Sequence, residues 1–175
     1  MSDACAEVIT SHYPRRRIER LLVLLSRESG RKDDERRAAF VIRHFPKMPV
    51  AGRFEIIHSL AAARSRPARA LLTHVLRHDP SPLVRHEAAF VVGYIGGPKE
   101  LQEARRALKQ DPSFLVRHEA AMALAEIGTL TDLALLTECT VDENEEVTIS
   151  CEFAIARIRV RCATPSSAAG ALDAV

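Results

Sequence analysis

The chain has 175 residues, of which 47% are hydrophobic and 27% charged, and its formal net charge is only +2. This composition predicts a soluble globular protein with a core of its own, and no apolar run approaches the ~20 residues that a membrane span needs. The basic residues form no stripe interleaved with aromatics, and there is no Trp. Nucleic-acid binding is therefore not expected.

The N-terminal sequence and the cysteines indicate the cellular compartment. The N-terminal sequence has neither a hydrophobic signal segment nor a small-residue cleavage site, so we expect a cytoplasmic protein. The four cysteines, Cys5, Cys139, Cys151 and Cys162, form no CxxC pair. A disulfide framework or a structural zinc ribbon is not expected from that spacing.

Helical patterns run along the chain, with no strand alternation and no glycine-rich phosphate loop. The first two, over residues 16–26 and 34–45, predict a helical pair within an N-terminal extension, residues 1–48, that caps the remaining helices. The periodicity ends after Val160. Residues 161–175 are small and polar and predict a disordered tail.

Residues 49–160 predict one domain built from a repeat of about 32 residues. The segments 79–96 and 111–128 match at 12 of 18 positions. A third copy follows in "DENEEVTISCEFAIARI", offset by 31 residues, and a fainter copy precedes in "AGRFEIIHSLA". Further helices are predicted between the copies, over 66–78, from Lys99 and from Leu130.

Residues that begin and end helices mark each copy. Ser81 and Ser113 are predicted N-caps, and Pro82 suits the first helical position because it needs no partner for an amide hydrogen. Gly96 and Gly128 suit the left-handed C-cap position. The unit is thus a helical pair repeated about four times, which predicts an all-α solenoid of HEAT-like repeats.

Both full copies carry Arg-His-Glu near the start of an otherwise apolar helix, as Arg85-His86-Glu87 and as Arg117-His118-Glu119. Equivalent positions of successive repeats lie side by side in a solenoid, with helices ~8–10 Å apart. The two histidines are therefore expected to be neighbours, and so are the two glutamates. We expect the arginines to form salt bridges or to pack between repeats.

The other repeats act as an internal control for this pair. At the same two positions the third copy has Ile149 and Ser150, and the early copy has Phe54 and Glu55. Packing of the scaffold therefore does not require His-Glu. Two non-functional explanations stay open: acidic residues near helix N-termini suit the helix dipole, and a recent duplication copies a pair whether or not it has a function.

The ligand count favours a metal site. One chain offers two His and two Glu, which is enough for one site of the 2-His-1-carboxylate type that suits non-haem iron. Two chains related by a two-fold axis would offer four of each, enough for a carboxylate-bridged di-iron centre. The count points to a homodimer. Manganese or zinc would accept the same ligands.

The segments "LVRHEAAFVVGYIG", "LVRHEAAMALAEIG" and "EVTISCEFAIARI" resemble deoxyhypusine hydroxylase. The resemblance runs from about Gly52 to Arg159 and covers one half of that family's two-half chain. PBS-lyase HEAT-like proteins share the scaffold but generally not both His-Glu pairs. The resemblance implies a HEAT-repeat di-iron monooxygenase that uses O2 and an external electron donor, with about two irons per dimer if two copies replace the two halves.

The resemblance also implies a role for each candidate residue. His86 and His118 of one protomer would bind an iron, completed by Glu87 of the second copy, and Glu119 would be the catalytic residue that faces a substrate amine. Three further side chains are candidates to line a substrate pocket: Phe90, Tyr94 and Met122. The substrate would be a small molecule or a protein side chain.

Two other functions stay open at this stage. α-Solenoids commonly present a surface to a protein partner, so a non-catalytic interaction scaffold is one alternative. A bilin lyase-like protein is the other, by analogy with PBS-lyase repeats.

Overall fold

Helices account for all regular structure in residues 15–26 and 29–163, the part of the chain that this computed structural model describes. Within it, two short 3-10 helices, Phe45–Lys47 and Leu130–Asp132, interrupt nine α-helices. The α-helices are α1 Arg15–Ser26, α2 Arg31–His44, α3 Val50–Leu60, α4 Arg66–His78, α5 Pro82–Ile95, α6 Pro98–Gln110, α7 Phe114–Ile127, α8 Leu133–Cys139 and α9 Glu145–Ala163.

The helices form two layers. Each odd-numbered helix packs against the next odd-numbered helix, from α1 to α9, and the even-numbered helices pack along the other layer. Apolar side chains between the layers are fully buried, among them Leu72, Leu76, Val92, Leu108 and Leu124. The predicted all-α solenoid of helical-pair repeats is confirmed, and α1 and α2 extend it at the N-terminal end as the predicted cap.

The C-terminal helix is longer than its apolar spacing indicates. Helix α9 continues to Ala163, so residues 161–163, predicted to belong to a disordered tail, are helical; the apolar spacing of the helix ends earlier than its backbone does. The rest of that segment lies outside the described residues, as do residues 1–14. No helix in the described part of the chain is long and apolar enough to cross a membrane.

Buried arginine–aspartate pairs connect successive repeats. Arg85, on α5, donates from Nε and Nη2 to the two carboxylate oxygens of Asp111, at 2.8 Å each. Arg117 pairs with Asp142 in the same way, at 2.7 and 2.8 Å, and Arg53 pairs with Asp79. This arginine–aspartate ladder confirms the salt-bridging role expected of Arg85 and Arg117.

The same aspartates begin the helices, which corrects the predicted caps. Ser81 and Ser113 stand at the N-cap positions, but their side chains make no capping hydrogen bond. The carboxylate of Asp79 accepts from the amide of Ser81 at 2.9 Å, and Asp111 from that of Ser113 at 3.0 Å. A carboxylate fixed by a guanidinium accepts more strongly than a hydroxyl does.

The predicted left-handed C-cap holds at one glycine and fails at the other. Gly96 has a positive φ of 61°, whereas Gly128 has an ordinary φ of −69°. Position 128 requires glycine for a steric reason, since a Cβ there would clash with the carbonyl oxygen of Leu124.

A close approach between α5 and α7 brings the two His-Glu helices together. A Cβ on Gly93 would lie 2.8 Å from Cα of Ala123 and 3.0 Å from its Cβ. Backbone on one helix faces a methyl group on the other at this point, so the gap has no room for a larger residue. Gly93 therefore sets the distance between the two helices that carry the site.

Replacing Gly93 with alanine is expected to destabilise the protein by about 1–3 kcal/mol, because one helix must move away from the other. Gly30→Ala is the control: a Cβ there meets nothing within 4 Å, so only the weaker preference for alanine at this N-cap applies and a loss below about 1 kcal/mol is expected. Urea unfolding of both variants measures the difference. Equal losses would contradict the tight α5–α7 contact.

Removing Arg85 is expected to cost about 3–5 kcal/mol of unfolding free energy, because Asp111 is left buried without its counter-charge. Arg157→Ala is the matched control, since Arg157 and Glu126 form a half-exposed pair at 2.9 Å worth at most ~1 kcal/mol. Thermal and denaturant unfolding measure both. A loss in Arg85→Ala as small as the control would mean that the ladder contributes little.

Candidate functional site

The odd-numbered helices carry the candidate site on one face. Arg85 and Ala88 on α5 are buried, so the residues between them, His86 and Glu87, point away from the core and are half-buried. The same alternation on α7 places His118 and Glu119 beside them. All four predicted residues therefore lie on neighbouring helices, on a face that no other helix of the described chain covers completely.

Three of these residues form a chain of imidazole–carboxylate contacts together with a further histidine. His86 Nε2 lies 3.3 Å from Glu119 Oε2, and His86 Nδ1 lies 3.4 Å from Glu87 Oε1. The other oxygen of Glu87 lies 3.0 Å from Nε2 of His58, on α3. The contacts thus run across three helices, in the order His58, Glu87, His86, Glu119.

The fourth residue, His118, has a different partner. Its Nδ1 lies 2.6 Å from the hydroxyl oxygen of Ser150, on α9. That hydroxyl donates to the backbone carbonyl of Glu146 at 2.6 Å. His118 therefore contacts a neutral side chain, whereas His86 lies between two carboxylates.

One stacking rule explains both contacts. Ser150 occupies, 31 residues on, the repeat position that Glu119 occupies on α7. In each case the histidine of one repeat reaches the Glu position of the next repeat. The two His-Glu copies are identical in sequence, but the residue one repeat further on differs, and that difference makes their surroundings unlike.

The electrostatics of His86 follow from this arrangement. The hydrogen bond to Glu119 raises the pKa of His86 above its ordinary value, partial burial opposes the shift, and the charges of Glu119 and Glu87 add to it. Two carboxylates facing one imidazole favour the protonated ring. In the isolated chain this geometry favours the protonated form of His86, paired with both glutamates.

His58 is the residue that the sequence reasoning missed. It occupies the repeat position that holds Phe90, Met122 and Phe153 in the other three copies. A histidine where every other copy has a large apolar residue is a signal that aligning the four copies would have revealed. The early copy is recognised by Arg53 and Glu55 instead, and Glu55 is exposed.

The three predicted pocket residues form an open surface around the site. Phe90 and Tyr94 are 52% and 63% exposed, and Met122 is half-buried. Core packing is therefore excluded for Phe90 and Tyr94. Leu83 and Phe153 are also largely exposed, so apolar side chains flank the His-Glu residues on both sides.

The donor set is suitable for a metal but incomplete within one chain. Imidazole and carboxylate are the ligands of non-haem iron sites. In residues 15–26 and 29–163, however, no group of three or more His, Cys, Asp or Glu side chains has an arrangement that would hold a metal ion. One chain thus presents imidazole and carboxylate donors on one face.

Comparison with known proteins places the fold. A profile of the HEAT-repeat family matches residues 69–156, half of the chain. The chain belongs to the HEAT-repeat family. The matched residues run from α4 into α9, and so include both His-Glu helices of this HEAT-repeat protein.

Two related proteins carry one name. The deoxyhypusine hydroxylase of Cryptococcus neoformans var. neoformans serotype D (strain B-3501A) is 33% identical over 114 residues, a match that covers 63% of this chain and 31% of that protein. The structure of human deoxyhypusine hydroxylase in complex with glycerol is similar with a TM-score of 0.64 and 27% identity, over 82% of this chain and 51% of that one. The predicted resemblance to this family is confirmed.

The extent of these matches matters for function. This HEAT-repeat protein spans between about a third and a half of the length of the two proteins it matches. The sequence resemblance was expected over residues 52–159, which make up less than two thirds of the chain. The structural match covers 82% of the chain, so it extends beyond those residues.

The raised pKa of His86 predicts a pH dependence of stability. Its stabilising contribution is fully present below the ordinary histidine pKa of about 6.5 and is lost as pH rises through the higher folded value. We expect the unfolding free energy of the chelator-treated protein to fall with pH in this window, relative to His86→Gln. Chemical unfolding at several pH values measures it.

Glu119→Gln is the control for this prediction, because it removes the partner that contributes most to the shift. The unfolding free energy of Glu119→Gln should therefore change with pH as that of His86→Gln does. Parallel pH curves for the wild-type protein and both variants would contradict the ion pair between His86 and Glu119.

Proposed function

We propose that this protein is a non-haem iron hydroxylase whose metal centre is completed by a second copy of the same chain. The observation that carries the proposal is the set of four His and Glu side chains on α5 and α7, half-buried together on one face beside exposed apolar residues. Similarity to hydroxylases of which this chain matches about a third to a half supports it.

The surface around the four His and Glu side chains supports completion of the metal site by a second protein chain. Leu83, Phe90 and Tyr94 on α5 and Ile149 and Phe153 on α9 are large apolar residues that are 46–63% exposed. Apolar patches at polar donors are typical of interaction surfaces. In a two-fold dimer each copy contributes the same patch and the same donors, so the ligand count doubles.

The proposed site divides the ligands between the two copies. His86 and His118 of one protomer bind one iron, and Glu87 of the second copy completes it, giving two irons per dimer on this count. When bound, iron supplies activation of O2 with electrons from an external donor. The apolar side chains, Phe90 and Met122 among them, exclude water from the space above the donors.

Glu119 has a separate role in this proposal. His86 can act as a ligand only in its neutral form, since a protonated imidazole has no free lone pair, and a metal at Nε2 would replace its contact with Glu119. Glu119 is then free to accept a hydrogen bond from a substrate amine, on a small molecule or a protein side chain. The same carboxylate thus pairs with His86 in the metal-free chain and faces the substrate in the active protein.

Metal content and molar mass, measured on the same purified sample, test this proposal. Protein produced with iron supplementation and handled without oxygen is expected to be a dimer with about two irons, by light scattering and elemental analysis. His86→Ala and His118→Ala should each lose most of the iron while remaining folded by circular dichroism. His44→Ala is the control, because His44 lies on α2, outside the site, and its ring contacts Phe40 on the same helix.

Three outcomes would overturn the proposal. A monomer that binds no iron under these conditions excludes the shared centre. Retention of iron by both site variants places the metal elsewhere. Zinc in place of iron, with iron excluded in competition, rules out oxygen activation at this centre and favours a structural centre or an interaction scaffold.

A further inference from the structure

Ser150 makes two short hydrogen bonds in a buried position. Its hydroxyl oxygen lies 2.6 Å from Nδ1 of His118 and 2.6 Å from the carbonyl oxygen of Glu146. The residue is only 4% exposed, so water does not replace either partner readily. The directions of these two bonds decide the state of the imidazole.

Only one proton arrangement satisfies both contacts. A carbonyl oxygen can only accept, and a serine hydroxyl has a single proton. If that proton goes to Glu146, the oxygen of Ser150 accepts from an N–H at Nδ1 of His118. If it goes to Nδ1 instead, two oxygen acceptors face each other at 2.6 Å with no hydrogen between them, which costs a buried hydrogen bond.

The consequence lies on the other side of the ring. A neutral histidine with its proton on Nδ1 has its lone pair on Nε2. No hydrogen bond to Nε2 of His118 is present in the described part of the chain, whereas both nitrogens of His86 face carboxylates. When its ring is neutral, His118 therefore has the form in which a histidine binds a metal through Nε2.

We propose that Ser150 is a positioning residue that holds His118 in the Nδ1–H tautomer and so presents Nε2 as a ligand. The ligand part of this inference rests on the proposed function; the tautomer does not. Metal-bound histidines usually donate their other ring N–H to an oxygen acceptor, which fixes the ring and its tautomer. Ser150 supplies that acceptor from the next repeat and adds no charge.

A purely structural role for Ser150 makes a different prediction. Serine within a helix often donates to the carbonyl four residues earlier, and Glu146 stands in that relation. If this bond and small size were the whole role, alanine would change neither the tautomer of His118 nor its metal affinity. The experiment therefore follows the imidazole itself.

The first measurement is the two-bond 15N–1H NMR correlation of histidine side chains in chelator-treated protein, at a pH where the imidazoles are neutral. His118→Gln assigns the signal. We expect Nδ1 of His118 to carry the proton in the wild-type protein. In Ser150→Ala the signal should move toward Nε2–H, the tautomer that free imidazole side chains favour in water.

Ser150→Thr keeps the hydroxyl on the same carbon and is expected to restore the wild-type tautomer. Circular dichroism and thermal unfolding check that both variants are folded. An Nε2–H wild type, or an alanine variant with an unchanged tautomer, overturns the positioning role of Ser150, whatever the protein binds.

The second measurement is anaerobic titration with Fe(II). Loss of Ser150 is expected to weaken binding by about 10- to 100-fold, and threonine to restore it. Equal affinity of the wild type and Ser150→Ala, with the tautomer changed, overturns the ligand part alone. No Fe(II) binding by the wild-type protein overturns the proposed function, while the NMR result still decides the tautomer.

Discussion

Arginine–aspartate pairs between successive repeats fix the register of the odd-numbered helices from α3 to α9. Arg85 joins its own helix to the loop that begins the next odd-numbered helix, and that loop's aspartate, Asp111, also accepts from the amide of Ser113 at the start of the helix. A one-residue shift of α7 against α5 would separate a buried guanidinium from its carboxylate, which is among the costliest errors a core can contain. The side chains next to these arginines, the His-Glu pairs, therefore meet in one register only.

The register also explains why two identical sequence copies differ in chemistry. Each histidine reaches one repeat ahead, so its surroundings depend on the following copy and not on its own. His86 meets the carboxylate of Glu119, while His118 meets the neutral hydroxyl of Ser150. A duplicated motif in a solenoid thus gains two different environments from a single change in the next repeat.

The sequence was sufficient to predict the fold and to predict that the four His and Glu residues share one face. A repeat of about 32 residues and the apolar spacing within each copy predicted the stacked helices, and the polar pair at one repeat position predicted a shared face. The contacts across the face were not predictable in the same way. They depend on which positions face each other across neighbouring helices, and the spacing of residues along one helix does not give this. From the sequence alone, Ser150 is only a position without glutamate, and His58 has no predicted partner.

The same limit applies to the helix ends. Ser81 and Ser113 have the residue type of an N-cap, but Asp79 and Asp111 perform the capping because the arginines hold their carboxylates there. Local propensity names the residue that can cap, and tertiary ion pairs decide which one does. The predicted N-cap positions were therefore right, but the predicted hydrogen bonds to the serine side chains were wrong.

Mixed dimers can reveal whether two copies of this chain share each metal centre. One chain carries His86→Ala with His118→Ala, the other carries Glu87→Ala, and different affinity tags isolate the mixed dimer after co-expression. If the centres are shared, each parent dimer should bind little iron. The mixed dimer should regain about one iron, since one of its two centres has both histidines and the glutamate opposite. A mixed dimer with no more iron than its parents would contradict a shared centre.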